Sequence, residues 1–491
     1  MLFHPPETPA RSNANLSAGP LPWAVLLLTA GVLAAHRPVS FDLFWYLRAG
    51  DEILARHALP TRDPFSYTSF QPWINHEWLA EVLLALIHRA AGMAGLVLWQ
   101  CLSVVAALVL VLPQRWRLAV TWRGWVGVAG AGAALAIAAE PRAQLFSWIL
   151  LAATLRLCLD DIDRPSPRLF LAWPIEILWT NLHGGNPTGL ALVGLLLLAR
   201  PSWRRVWVAL GSTILTLANP YGILVHNHFL GAHSSLPEIR EWHSLAQALA
   251  LHSVSTGVAF LVGLLAVLSL LLPGNWRQRF REQERFRFWT LALLLFALVA
   301  ALYARFALDL ALLAAAFLAR VSPPSDAAWA PSLASRLVGP VAGLCLMLAA
   351  HLMSPSHLGF FPERGRFPEG AVAFLRQHHP PGPMLNSYNF GGYLQWAYPD
   401  EKVFIDGRAF TVYSESHFRQ LLRLYDEPTF FRELERHWHF RLAVLQRAGR
   451  GANFLFWLRQ QPGWHVVYED AVATILVAAS PSGTATRPTG Q

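Results

Sequence analysis

Apolar stretches separated by short polar loops fill the chain to about residue 353, and beyond 354 charges and turn residues interrupt much shorter apolar runs. A helix that crosses a bilayer needs roughly 17–25 mostly apolar residues. The pattern predicts an α-helical polytopic membrane protein with about eleven spans. They are expected at residues 21–35, 93–112, 125–139, 143–159, 169–181, 187–198, 206–218, 255–272, 288–304, 306–319 and 337–351. Residues 76–90 differ, because Glu77, Glu81, His88 and Arg89 make this helix unevenly polar. Such a helix suits the membrane interface better than the bilayer core.

After 354, short apolar runs alternate with helical patterns, which predicts a C-terminal soluble α/β domain. Strands are expected at 384–388, 402–405, 442–445, 465–468 and 473–477, and helices at 369–377, 417–425, 430–438 and 453–459. The expected organisation is a cytoplasmic tail (1–20), a transmembrane domain (21–353) whose first periplasmic loop is 37–92, a periplasmic α/β domain (354–480) and a disordered tail (481–491). No secretory cleavage site is evident, so the first apolar run is expected to stay as a span.

Charge orients these elements. Arginines cluster at Arg115, Arg117 and Arg123; at Arg164 and Arg168; at Arg200, Arg204 and Arg205; and at Arg277, Arg279, Arg281, Arg285 and Arg287. With a cytoplasmic N-terminus and a non-crossing 76–90 helix, all of these fall inside, as the positive-inside rule requires. The expected location is a bacterial inner membrane, with the C-terminal domain in the periplasm. Only 14% of residues are charged, against roughly 25% in soluble proteins. The net charge of +9 therefore reads as membrane topology, and a nucleic-acid partner is excluded. The three cysteines fall in apolar runs, so no disulfide framework is expected in the soluble part.

With this orientation the polar motifs share the outer side. The stretch from Phe41 to Glu81 gathers Asp42, Trp45, Tyr46, Arg48, Asp63, His76 and Glu77. Asp42 follows the first span, beside Phe41, Phe44 and Trp45, where partial desolvation suits a general base; the alternative is a solvated cap. Asp42, His76 and Glu77 are candidate catalytic residues and a candidate set for a divalent cation, Mg²⁺ or Mn²⁺. Glu77 equally suits a helix N-terminus. Trp45 and Tyr46 offer rings for a sugar, and Arg48 and Asp63 offer hydrogen bonds; Asp63 also reads as the cap of a turn. Arg142, His183 and Arg305, at outer ends of spans, form a candidate phosphate-binding set, although a lone arginine there also serves as an anchor. Tyr221, Tyr393, Asp406 and Arg408, in loop-like motifs, are further substrate-binding candidates.

A first span, a long outer loop opening on an acidic residue and then many spans resembles the GT-C superfamily of membrane glycosyltransferases, with the layout of protein O-mannosyltransferases and lipid A aminoarabinose transferases. The string from Asp42 through Trp45, Gly50, Pro60, Asp63 and Phe65-Ser66 to His76-Glu77-Trp78-Leu79 resembles more closely a group of bacterial membrane proteins of unassigned function. That group commonly has His at the position of Tyr46. Asn181-Leu182-His183-Gly184, Asn219-Pro220-Tyr221-Gly222, Glu241-Trp242, Gly391-Gly392-Tyr393 and Asp406-Gly407-Arg408 extend the likeness.

The resemblance implies a sugar donor on a polyprenyl-phosphate carrier, a glycan, lipid or protein acceptor, and Asp42 as base or metal ligand. The chain departs from the pattern in having no paired acids at Asp42; Asp51-Glu52 comes later. Two other readings stay open. One is a non-catalytic scaffold presenting its outer domain in envelope assembly. The other is a secondary transporter, which would bind at the membrane midplane.

Overall fold

The computed structural model describes residues 20–69, 72–113, 122–226, 243–272, 275–320, 333–354 and 357–479. Arg115, Arg117, His228, His233, Glu241, Trp242 and both terminal tails lie outside the described residues.

Helices cover every stretch expected to span. They are α1 (Pro20–Leu33), α3 (Trp78–Val111), α4 (Trp122–Ala138), α5 (Gln144–Asp163), α6 (Ala172–Leu182), α7 (Pro187–Ala199) and α8 (Trp203–Leu215). After the short α9 (Leu245–Ala250) come α10 (Val254–Leu271), α11 (Trp276–Glu282), α12 (Glu284–Leu302), α13 (Ala307–Leu318) and α14 (Leu333–Leu352). Among the described residues, α3, α10 and α12 are long and apolar enough to cross a membrane by length and composition. Helices such as α6 and α7, with 11 and 13 residues, rise only roughly 16–20 Å against a hydrocarbon core of about 30 Å.

Local chemistry starts and breaks these helices. Ser202 caps α8 by accepting from the Arg205 amide, and Ser244 and Gln247 form a capping box at α9. Gly92, at φ 60° and ψ −155°, breaks α3 between the part expected at the interface and the part expected to span. A residue with a Cβ is strained in that conformation. In the bundle, α4 is buried over Gly124–Ala136, largely by Gly and Ala, and α1, α10, α13 and α14 pack around it. Small residues let helices approach closely where lipid gives no hydrophobic drive. Trp23 stacks on Trp125 at 3.8 Å.

The chain after α14 returns to the end of α1, where Arg37 donates its amide to the His357 carbonyl at 2.8 Å and Gly359 to that of Ala35 at 2.9 Å. It then forms a four-stranded sheet of order β1-β2-β4-β3. Here β1 (Met384–Asn386) runs parallel to β2 (Leu442–Gln446), and β4 (Ala473–Ala478) is antiparallel to β2 and to β3 (Trp464–Glu469). Leu385 pairs with Ala443 and Val444 with Ile475. Helices α15 (Glu369–His378), α16 (Gly391–Ala397), α17 (Glu415–Asp426), α18 (Phe431–Trp438) and α19 (Ala452–Leu458) accompany the sheet.

Two expectations change here. Residues 402–405 form no strand; only Val403 makes a single bridge, to Ser66. The Asn386 side chain replaces the ladder, accepting from the Phe404 amide at 2.8 Å and donating to the Ile405 carbonyl at 2.7 Å. Gly391-Gly392-Tyr393 is not a loop but the start of α16. A Cβ at Gly392 would lie 2.8 Å from the Phe41 carbonyl, so this glycine lets α16 press onto the chain before α2 (Leu43–Arg56).

The loop between α1 and α3 and the C-terminal unit are joined by hydrogen bonds. Ser66 donates to the Val403 carbonyl at 2.9 Å, Tyr67 to that of Met384 at 3.0 Å and Thr68 to that of Phe404 at 2.6 Å. Phe65, Trp73 and Ala49 of the loop belong to the same apolar core as Phe404, Phe431 and Leu476.

Candidate active site

Where the first loop, the helix bundle and the C-terminal unit meet, they enclose a cavity of about 630 Å³. Nine of the residues singled out in the sequence line it: Asp42, Trp45, Tyr46, His76, Glu77, Arg142, His183, Arg305 and Arg408. They form two clusters.

The first surrounds Asp42, which precedes α2 and so carries its carboxylate at a helix N-terminus. Oδ1 accepts from the Trp45 indole at 3.2 Å, and Oδ2 lies 3.8 Å from the Arg142 guanidinium. Both side chains keep access to the cavity, at 34% and 27% exposure. A Cβ at Gly407 would collide with Asp42 Oδ1, so the glycine lets the C-terminal unit close over this carboxylate without turning it aside. Glu140 accepts from the Val39 and Ser40 amides, each at 3.3 Å, and holds the segment leading to Asp42. Burial raises its carboxyl to about 7 against the pull of Arg142, those amides and Arg366.

The second cluster surrounds Glu77. Oε2 accepts from the Tyr46 hydroxyl at 2.7 Å, while His183 Nε2 and His76 Nε2 lie 3.5 and 3.7 Å from Oε1. Burial, then the Glu77 and Asp42 charges, raise the Tyr46 hydroxyl well above its ordinary range, so it stays a donor. Burial lowers His76 to about 4, with Arg305 adding to the effect, so its imidazole is neutral at physiological pH. Ser147 and Trp179 extend the cluster behind His183.

Arg408 reaches the cavity wall, but each of its guanidinium nitrogens donates to a buried carboxylate. Nη1 and Nη2 reach Asp63 at 2.7 and 3.1 Å, while Nε and Nη2 reach Asp406 at 2.8 and 2.7 Å. The Phe65 and Trp73 rings lie about 5 Å from it. Burial works to raise the Asp406 carboxyl, yet Arg408 and Tyr413 leave it below the usual carboxylate range. The network bonds the first loop to the C-terminal unit.

The other candidates do not line the cavity. Asp63 and Asp406 are consumed in the Arg408 network. Arg48 faces Glu52 at 3.5 Å one turn along α2. Tyr393 packs against Phe44, Phe367 and Trp396. Tyr221 sits behind the 75–81 turn, its hydroxyl directed to Asn75 and near Glu81. That turn is also held by Asn181, which accepts from the Trp78 indole at 2.9 Å and donates to the Ala218 carbonyl at 2.9 Å. Two motifs that are far apart in sequence thus meet at one turn.

The cavity also holds Ser147, Glu81 and Arg366, none of which was a candidate. Ser147 lies in an apolar run and Arg366 in the linker, where no local pattern marks them. Among the described residues no three His, Cys, Asp or Glu side chains gather in a way that could hold a metal ion. Asp42, His76 and Glu77 therefore do not fit one cation site: Asp42 faces Arg142, and Glu77 faces Tyr46 and two histidines.

No protein-family model matches the chain, nor does any curated protein. Solved structures do. ArnT from Cupriavidus metallidurans in its apo state aligns over 94% of this chain and 98% of its own, with a TM-score of 0.54 and 13% identity. The same protein bound to undecaprenyl phosphate aligns over 94% and 99%, at 0.52 and 13%. The chain shares the fold of these two structures. At this identity the likeness is one of fold.

Proposed function

We propose that this GT-C protein is an inner-membrane glycosyltransferase that moves a sugar from a polyprenyl-phosphate carrier to an acceptor hydroxyl on the periplasmic side. One observation carries the reading. In a fold shared with a protein solved with undecaprenyl phosphate, the carboxylate that opens the first outer loop faces a cavity of about 630 Å³ and an arginine.

In this reading Asp42 takes the proton of the acceptor hydroxyl, whose oxygen attacks the anomeric carbon of the sugar. The bond from that carbon to the carrier phosphate breaks, and the phosphate leaves with its charge stabilised by Arg142 and Arg305. The Trp45 ring, stacked on Tyr46 at 3.9 Å, lines the wall beside the sugar, and Glu77 and His76 orient the acceptor. Arg408, Asp63 and Asp406 hold the C-terminal unit against the loop, which keeps Asp42 and the cavity wall in register.

The test is native mass spectrometry of the protein purified gently from its own membranes, wild type beside Asp42→Asn. A co-purifying polyprenyl-phosphate sugar, retained or enriched in the variant, supports the reading and gives the sugar's mass. Only bulk phospholipid in both samples, even after polyprenyl-phosphate sugars are added, sinks it in favour of the scaffold.

A further inference from the structure

Behind the Glu77 cluster lies a chain of hydrogen bonds whose directions are set by groups with only one role. The Trp179 indole N–H can only donate, and it does so to Ser147 Oγ at 2.6 Å. Ser147 accepts with one of its two lone pairs and keeps its own hydrogen to turn toward His183 Nδ1 at 2.7 Å. The Gly185 backbone N–H can likewise only donate, and it points at the same Nδ1 from 3.1 Å. With donors on this side, Nδ1 carries the lone pair. The ring proton is on Nε2, which faces Glu77 Oε1 at 3.5 Å.

The tautomer decides the sign of the contact with Glu77. With the proton on Nε2, His183 presents N–H to a carboxylate; with the proton on Nδ1, it would present a lone pair to one. The first arrangement matches the Tyr46 hydroxyl donating to the other carboxylate oxygen at 2.7 Å, so that both Glu77 oxygens face hydrogen-bearing groups. The Gly185 backbone is shaped for the same purpose. A Cβ there would lie 2.6 Å from Ser147 Oγ and 2.9 Å from His183 Nδ1, displacing one or the other.

We infer that Ser147 is a positioning residue for the transfer reaction: by fixing His183 as the Nε2–H tautomer it makes His183 a donor to Glu77 and aligns that carboxylate for the acceptor hydroxyl. The inference rests on the proposed glycosyl transfer for its functional consequence, while the tautomer is independent of it.

The experiment uses full-length protein in lipid nanodiscs with ¹⁵N-labelled histidine, wild type beside Ser147→Ala, Ser147→Thr and His183→Gln. The difference between the wild-type and His183→Gln spectra assigns the His183 ring nitrogens. Expected are a bare Nδ1 and a protonated Nε2 in wild type and in Ser147→Thr; in Ser147→Ala, where only the longer Gly185 contact at 3.1 Å still holds Nδ1, its signal should shift and broaden as the Nδ1–H form becomes populated. Sugar transfer should fall about 10-fold in Ser147→Ala, the lower end for loss of such an outer hydrogen bond, and recover in Ser147→Thr. In a His183→Gln background, where the amide supplies the donor to Glu77, Ser147→Ala should cost nothing more. A protonated Nδ1 in wild type, an unchanged spectrum in Ser147→Ala, or additive losses in the double variant overturns the inference. If no form transfers sugar, the proposed function fails, and the spectra still decide the tautomer.

Discussion

Asp42 and Asp63 stand in the same stretch between α1 and α3 and each faces an arginine, yet the two pairs are built differently. Asp63 and Arg408 are 0% and 1% exposed and meet through two hydrogen bonds, with Asp406 completing the arginine's shell. Asp42 and Arg142 stand 3.8 Å apart and remain about a third exposed. A buried pair at hydrogen-bond distance is committed: each partner neutralises the other, and removing one strands a charge. A looser pair beside a cavity leaves a carboxylate and a guanidinium that a substrate can engage at little cost. What distinguishes the structural pair from the one proposed to react is burial and distance, which residue type does not reveal.

The sharpest test of this contrast is Asp42→Asn. Loss of a general base lowers rates by about 10²–10⁴-fold, so transfer of sugar from a polyprenyl-phosphate donor should fall by that much while thermal unfolding is unchanged. Unfolding in place of lost transfer would make Asp42 a second structural aspartate. Next comes Arg408→Ala, which leaves Asp63 and Asp406 buried without a counter-charge. Its cost should be about 3–5 kcal/mol, seen as a lower unfolding temperature and rapid proteolysis between the first loop and the C-terminal unit. An Arg408 variant that melts normally but transfers nothing would break the comparison from the other side.

Arg142→Ala should lower transfer by about 10²–10³-fold, as for loss of one electrostatic stabiliser, with little effect on melting. The smallest effect concerns Glu140. Its carboxyl titrates near 4.5 when unfolded and about 7 when folded. Between those values the folded protein holds a proton that the unfolded chain has released, so stability falls as pH rises from 4.5 to 7 and levels off above. Glu140→Gln should flatten that stretch of the stability curve; an unchanged slope would assign it to another group.

Much of the helical layout was legible because hydrophobic periodicity is local. Runs of apolar residues around 93–112 or 255–272 announce helices whatever they pack against, and in the C-terminal unit the runs at 442–445 and 473–477 became β2 and β4. Residues 402–405 looked the same and did not pair as a strand, because Asn386, on another segment, satisfies their backbone groups. Gly391 and Gly392 read as a loop because glycine signals turns, whereas here Gly392 permits close packing of a helix on Phe41.

In the site, Asp42 and Glu77 were visible as carboxylates beside aromatic residues just outside the first span. Their partners were not: Arg142 lies 100 positions from Asp42, Asp63 and Arg408 are 345 apart, and Ser147 sits inside an apolar helix. The chain by itself determined which segments are helical, which side of the membrane its polar chemistry is expected to face and which residue types are available there, since these follow from periodicity and charge along a continuous backbone. Only the tertiary structure decided which aspartate is sealed against an arginine and which is open, and which histidine nitrogen carries the proton. Those depend on distances, burial and donor direction between segments that meet only when the first loop, the bundle and the C-terminal unit close on one cavity.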